Sequence, residues 1–135
     1  MAGLDVSIRN AELSQVVTLA GSAALLRLYS GVQPATGGAL SGGNTLLSQH
    51  ACSATLGTVA SGTLTFNAIG SATGLATGLA TWARLVQSNG TTFVADFSVG
   101  AVGSGADITA SPNATVTLGG TVSISGTPTI TAGNP

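Results

Sequence analysis

The pattern of hydrophobic and polar positions divides the chain into one helical segment, one loop and a long series of short strands. Within residues 5–20 the apolar positions follow the i, i+3, i+4, i+7 spacing of one helix face: Leu13, Val16, Val17 and Ala20. Asp5, Ser7 or Asn10 is placed to cap the start of this helix, and Gly21 is placed to end it. The sequence therefore predicts one amphipathic helix near the N-terminus.

After this helix, residues 24–30 read as a first strand, and residues 31–45, GVQPATGGALSGGNT, read as a Gly-rich loop. Further strands are expected at 46–56, 62–69, 76–87, 91–99, 107–110, 115–118 and 121–130, with Pro128 marking an edge or a bulge. Their spacing predicts a mainly β fold: an antiparallel β-sandwich, a jelly roll or a barrel, with one N-terminal helix. We expect residues 1–135 to form a single domain whose β part covers 46–131.

The stretch TWARLVQSNGTTFVADFSVG, residues 81–100, predicts a hairpin around Asn89-Gly90, since a type I′ turn needs positive φ at both central residues. A two-residue loop pairs Val86 with Phe93, Arg84 with Ala95 and Trp82 with Phe97. This favoured register puts Trp82, Arg84, Val86, Phe93, Phe97 and Val99 on one face, and Asp96 on the other beside Ala83 and Leu85. A three-residue loop would instead place Arg84 and Asp96 on the same face.

The hairpin and the first strand supply the candidate core or interface anchors, which are Tyr29, Trp82, Arg84, Phe93 and Phe97. Two interpretations of Arg84 stand side by side. In one, its stem packs on Trp82 and its head reaches solvent, a backbone carbonyl or a carboxylate. In the other, Arg84 is an anchor at a subunit interface, where Trp and Arg are enriched.

Charge is scarce: charged residues make up 5% of the chain, against about 25% in ordinary globular domains. The net charge is −1 and the chain contains no Lys, which argues against nucleic acid and against a basic membrane-binding surface. No run approaches the ~20 apolar residues of a membrane span. The N-terminal segment carries Asp5 and Glu12 and lacks the features of a signal peptide, so we expect synthesis in a cytoplasm.

Candidate chemistry is equally sparse. His50 is the single His, which rules out a multi-His metal site within one subunit and favours a structural or surface role. Cys52 is the single Cys and is expected to pack as a small apolar residue, with a reactive thiol as the alternative. No G-x-S-x-G motif occurs, no motif ties together the four acidic residues, and GSGAD at 103–107 is typical of a turn. The sequence predicts no catalytic, metal or cofactor site.

The order of segments IRNAEL, LLRLYSGVQPAT, TLLSQHACSATLG and GTLTFNAI, followed by the hairpin, GADITAS and TVSISGTPTITAG, resembles a family of small virion proteins of tailed bacteriophages. The most telling segments are LRLYSGVQPAT, the hairpin segments ATWARL, NGTT and DFSVG followed by GAD, and TVSISGTPTIT. The resemblance covers almost the whole chain. It departs at 37–43, which is richer in Gly than the family suggests.

The resemblance implies a capsid decoration or cement protein that binds and stabilises the major capsid shell. It implies a homodimer or homotrimer on the virion surface, made in the host bacterial cytoplasm, with no cofactor, nucleic acid, membrane or small-molecule ligand. Two alternatives stay open. One is a tail, neck or fibre-base component, or a carbohydrate-binding β module of the virion. The other is a non-viral protein or an enzyme, such as a glycan hydrolase.

Overall fold

The N-terminal helix forms where the sequence predicts it. The computed structural model of the chain describes residues 3–132, and helix α1 spans Val6–Ala20. Asp5 caps the helix by accepting a hydrogen bond from the backbone N–H of Ser7, and Gly21 ends it at φ 68°. Leu13 and Ala20 are buried in the core, and Val16 and Val17 pack against it, so the predicted apolar stripe is confirmed.

The rest of the fold is built from twelve strands. They are β1 Leu25–Tyr29, β2 Leu46–Ala51, β3 Gly57–Ala60, β4 Thr63–Phe66, β5 Ala72–Thr73, β6 Gly78–Leu79, β7 Trp82–Val86, β8 Phe93–Ala101, β9 Ile108–Ser111, β10 Thr115–Val116, β11 Thr121–Ser125 and β12 Thr129–Thr131. Of residues 3–132, 41% are in strand and 12% are in helix, which confirms the mainly β prediction with one N-terminal helix.

Seven strands form one mixed sheet in the order β2-β1-β7-β8-β9-β11-β5. Its two ends approach each other, because β5 contacts β2, and the result is a nearly closed, barrel-like sheet. Three further strands pair in the order β12-β4-β3, and β6 pairs with β10. Helix α1 packs against β3, β4 and β8, and one cluster of buried apolar side chains joins the helix to the sheets.

The β8–β9 pair is parallel, although the two strands are close in sequence. The chain returns through the GSGAD turn, in which Gly103 and Gly105 have φ of 86° and 82°. Ser104 of this turn lies so close to Gly100 that a Cβ there would overlap its hydroxyl. Asp107 then accepts hydrogen bonds from the backbone N–H and the hydroxyl of Ser98, both at 3.0 Å. The prediction that GSGAD forms a turn is confirmed.

Several predicted strands are too long. The segment 76–87 is two strands, β6 and β7, and 121–130 is divided into β11 and β12 at Gly126, Thr127 and Pro128. Pro128 precedes β12, an edge strand of its sheet, as its fixed φ and missing N–H favour. The segment 46–56 ends as a strand at Ala51. Strands β3 and β5 were not predicted, because both are short and rich in small residues.

Candidate functional site

The two strands of the 81–100 hairpin are joined by an ion pair. Arg84 Nε lies 2.7 Å from Asp96 Oδ1, and Arg84 Nη2 lies 3.0 Å from Asp96 Oδ2, so the guanidinium holds the carboxylate in a bidentate pair. The side chains are 11% and 2% exposed. The hydrogen bond to Asp96 raises the pKa of Arg84 above its usual range, against the opposing effect of burial.

The Gly-rich loop 31–45 is fastened onto this ion pair. Arg84 Nη1 donates to the carbonyl of Gly38 at 2.9 Å, and the backbone N–H of Gly37 donates to Asp96 Oδ2 at 3.1 Å. Gly37 has φ 69°, and a Cβ there would lie 3.2 Å from the ring of Phe93. A glycine is therefore needed at this position, and the Gly enrichment of the loop allows its backbone to approach the sheet closely.

Aromatic rings complete this arrangement. Trp82 stacks on Tyr29 with ring centroids 4.7 Å apart, and the Arg84 guanidinium carbon lies 5.2 Å from the ring centres of both Trp82 and Phe93. Trp82 is 1% exposed, and its Nε1 is buried and has no hydrogen-bond partner within residues 3–132. We call the five residues Tyr29, Trp82, Arg84, Phe93 and Asp96 the clamp, since they hold the loop against the outer face of the sheet.

A polar row continues the clamp across the sheet. Arg27 is the cross-strand neighbour of both Gln49 and Arg84, and Arg84 is the neighbour of Asp96. Arg27 donates to Gln49 Oε1 and to the carbonyl of Gly90, both at 2.8 Å. Two of the three Arg residues of the chain therefore tie strands and turns together rather than projecting into solvent.

The favoured hairpin register is wrong beyond the turn. Val86 does pair with Phe93, but a bulge at the next position shifts the ladder so that Arg84 faces Asp96 and Ala83 faces Phe97. The predicted type I′ turn is also wrong: the hydrogen bond from Gly90 to Gln87 closes a turn in which Gly90 has positive φ and Asn89 does not. Asn89 instead accepts from the backbone N–H groups of Thr91 and Thr92 through its side chain.

The structure brings four of the five predicted anchors together and separates the fifth. Tyr29, Trp82, Arg84 and Phe93 belong to the clamp, whereas Phe97 lies on the inner face of the sheet. There its ring makes an edge-to-face contact with Phe66 at 6.0 Å. The interpretation of Arg84 as a residue whose head reaches a carboxylate and a backbone carbonyl is confirmed within this chain. The other interpretation, an anchor at a subunit interface, stays a prediction.

His50 and Cys52 are both buried. His50 is fully buried, its Nδ1 lies 2.9 Å from the carbonyl of Gly70, and its Nε2 lies 3.0 Å from the Ser48 hydroxyl. A carbonyl accepts only, so Nδ1 carries the proton and Nε2 accepts from Ser48. Ser48 is fully buried as well, so this pair has no access to a substrate. Burial lowers the pKa of His50, partly offset by the bond to Gly70, and raises the pKa of Cys52 to about 11.

One region of the surface carries three exposed leucines that the sequence interpretation missed: Leu75, Leu79 and Leu118. Leu75 and Leu79 lie two residues on either side of Thr77, and the backbone N–H of Leu118 donates to Thr77 Oγ1 at 3.0 Å. The three leucines are 54%, 56% and 66% exposed. We call them the leucine patch. The tandem repeat GLATGLAT at 74–81, which spaces two leucines four residues apart in a strand region, was the available signal.

Val32 adds to the same end of the molecule. Thr81 donates from Oγ1 to the carbonyl of Gly31, which places the backbone just before Val32 beside the start of β7. Val32 is 85% exposed. The clamp fastens the loop at Gly37 and Gly38, while the apolar side chains of Val32 and Leu40 stay exposed.

Within residues 3–132, no group of three or more His, Cys, Asp or Glu side chains is placed to hold a metal ion. No helix in this described part is long and apolar enough to cross a membrane. Comparison with the known protein families, with curated proteins and with solved structures found no match.

Proposed function

We propose that this chain is a structural protein of a tailed-bacteriophage virion, a head decoration protein that binds the major capsid protein and stabilises the shell. The resemblance of its sequence segments to small virion proteins supports this proposal. The observation that carries it is the leucine patch on a surface that lacks charge. The proposal includes no catalytic step.

The distribution of charge supports attachment by apolar contacts. The chain has three Arg and four acidic residues, and none of the seven lies between residues 28 and 83 or after Asp107. These uncharged segments contain Val32 and the whole leucine patch. Exposed apolar clusters on a soluble protein mark interaction sites, and Lys, the common protector of strand edges, is absent from the chain.

Assembly of several copies would make weak contacts sufficient. In the proposal the protein acts as a homodimer or homotrimer, so that binding of one subunit makes the next contact intramolecular. Each interface can then be small, on the order of 1,000 Å² in total, and the complex still holds because several act together.

The geometry favours this proposal over a carbohydrate-binding module. Sugar recognition needs exposed aromatic faces, whereas Tyr29, Trp82, Phe66 and Phe97 are buried and Phe93 is half-buried under the loop. A tail, neck or fibre-base component would have the same surface chemistry as a head protein. Copy number separates these two, because a decoration protein occupies hundreds of positions on each particle and a tail component a few to tens.

The test is reconstitution on purified particles that lack the protein. Wild-type protein should bind heads in hundreds of copies and should remain after a wash in 1 M NaCl, where the Debye length falls to about 3 Å. Leu79→Gln and Leu118→Gln together should reduce the bound amount at least tenfold. Leu19→Gln is the matched control, since Leu19 is an exposed leucine of helix α1. Its carbonyl accepts a hydrogen bond from Gln87, just after the end of β7, whereas Leu79 lies just before the start of that strand.

Three outcomes contradict the proposal. Binding at a few copies per particle would indicate a tail or neck position. Release in 1 M NaCl would show that charge holds the protein on the particle. Equal loss of binding in the patch variant and in Leu19→Gln would show that the leucine patch has no specific part in attachment.

A further inference from the structure

An opening, which we call the seam, lies between the first part of β8 in the seven-stranded sheet and β12, an edge strand of the three-stranded sheet. The first part of β8 pairs with β7 on one side only, since its parallel partner β9 begins opposite Val99. Strand β12 pairs with β4 on one side only. Between these two edges lies a cavity of about 310 Å³, lined by Ala95, Asp96, Phe97, Asp107, Thr129, Ile130 and Thr131.

The unpaired backbone groups of both strands point into this seam. The hydrogen bond from the N–H of Val99 to the carbonyl of Thr81 fixes the alternation of main-chain groups along β8. The N–H and carbonyl groups of Ala95 and Phe97 therefore point toward β7, and those of Asp96 point away from it. The N–H of Ser98, which shares that direction, already donates to Asp107. The N–H and the carbonyl of Asp96 are therefore directed into the opening.

The same alternation holds for β12. The N–H of Phe66 donates to the carbonyl of Pro128, and the N–H of Ala132 donates to the carbonyl of Gly62. The main-chain N–H and carbonyl groups of the even-numbered residues along β12 therefore point toward β4. Thr129 and Thr131 consequently turn their N–H and carbonyl groups toward the seam, and both residues are exposed. Strands β8 and β12 line one cavity, and no ladder joins them within residues 3–132, so each presents a free edge to the seam.

We propose that this seam binds one extended peptide segment, donated by the major capsid protein, as an added strand between β8 and β12. The identity of the donor rests on the proposed function. Backbone edges recognise backbone, so the main-chain groups of Asp96, Thr129 and Thr131 supply the binding. Asp96 is already paired with Arg84, and Asp107 accepts two hydrogen bonds from Ser98, so recognition in the seam rests on main-chain groups rather than on new ion pairs.

A second copy of this chain fits the seam less well. A strand inserted between two edges must have both of its own edges free. Every described strand of a second copy is already hydrogen-bonded to a neighbour on at least one side, so it can pair on one side of the seam at most. The donor is instead a segment that is unpaired before it binds, as an extended arm is. Its ordering costs conformational entropy, which backbone hydrogen bonds on two sides offset.

Amide hydrogen exchange on the wild-type protein tests this directly. In the free protein, the N–H groups of Asp96, Thr129 and Thr131 should exchange fast, while those of Phe97 and Ile130, which lie in ladders, should exchange slowly. On reconstituted heads the three seam amides should slow at least tenfold, and Phe97 and Ile130 should change little.

A matched pair of variants supplies the second arm. Thr131→Pro removes the N–H that faces the seam without removing a bond to β4, and proline is tolerated at such an edge position. Thr131→Val keeps that N–H. Binding to heads should fall at least tenfold in Thr131→Pro and stay unchanged in Thr131→Val, with equal unfolding midpoints. If Thr131→Pro does not fold, the exchange measurement decides.

The outcomes separate this inference from the proposed function. Protein that stays on heads with unprotected seam amides refutes the inserted strand and leaves the decoration role intact. Seam amides that become protected in the free protein as its concentration rises would identify a second copy as the occupant and overturn the proposed donor. Failure to bind heads at all refutes the decoration role, and the capsid donor with it.

Discussion

The clamp belongs to the seven-stranded sheet and the leucine patch to the region of the β6–β10 pair, and the two differ in composition and in exposure. The clamp gathers rare residues: the single Trp and the single Tyr, one Arg, one Asp and one Phe, all buried or half-buried beneath the loop. The leucine patch takes two of its three side chains from the GLATGLAT repeat, and each of the three is more than half exposed. The rare aromatic and charged residues of the clamp are therefore internal, whereas the exposed patch is formed by leucine, a common residue type.

This difference separates stability from recognition. Charged and aromatic groups are usually sought as binding anchors because they are enriched at interfaces. Here the charged and aromatic side chains of the clamp contact one another, and three of them, Arg84, Phe93 and Asp96, also contact the loop of small residues. What remains for other molecules is apolar side chains and free strand edges.

The largest expected effect is at Trp82. Trp82→Ala removes the ring that stacks on Tyr29 and carries Arg84, and the free energy of unfolding should fall by roughly 3–5 kcal/mol. Urea denaturation followed by circular dichroism measures this. Trp82→Phe, which keeps an aromatic face, should lose less than half as much. Because Trp82 is the single Trp, iodide should barely quench the fluorescence of the wild-type protein, and strong quenching would contradict the buried clamp.

The ion pair comes next. Asp96→Ala leaves Arg84 without its carboxylate beneath the loop, and we expect a loss of about 2–4 kcal/mol. Adding Arg84→Met should recover part of this loss, since Met keeps an apolar stem over Trp82 and Phe93 and removes the unpaired charge. A double-mutant cycle by urea denaturation gives the coupling. Additive losses would show that the two side chains do not depend on each other.

The clamp also shows which features of the fold can be predicted from the sequence and which cannot. The helix, the first strand and the existence of the hairpin follow from local periodicity and turn residues, which act over a few positions. The pairing of Arg84 with Asp96 depends on a bulge between Phe93 and Ala95, and no residue type at these positions predicts a bulge. The attachment of loop 31–45 to Arg84, Asp96 and Phe93 depends on contacts between residues dozens of positions apart, which a periodic pattern in the sequence does not record.

His50 offers a test inside the barrel, apart from both regions. Burial lowers its pKa below the ordinary 6.5, so as pH falls below that value the unfolded chain takes up a proton that the folded protein does not. Stability should be complete above pH 6.5 and should decrease toward pH 5, by at most about 1.4 kcal/mol per pH unit. Unfolding midpoints at pH 5–8 measure this, and His50→Gln should flatten the slope. A wild-type profile that is flat over this range would contradict a neutral, buried imidazole.

The smallest effect on stability belongs to the leucine patch, and its smallness is the informative result. Leu79→Gln and Leu118→Gln replace side chains that are already more than half exposed, so the free energy of unfolding should change by no more than about 0.5 kcal/mol for each. Urea denaturation of the free protein measures this. A loss above about 2 kcal/mol would mean that these leucines pack within one chain and belong with the clamp. If stability is kept while attachment to heads is lost, the patch serves a partner, because a side chain that contributes nothing to its own fold can be required only by what it contacts outside it.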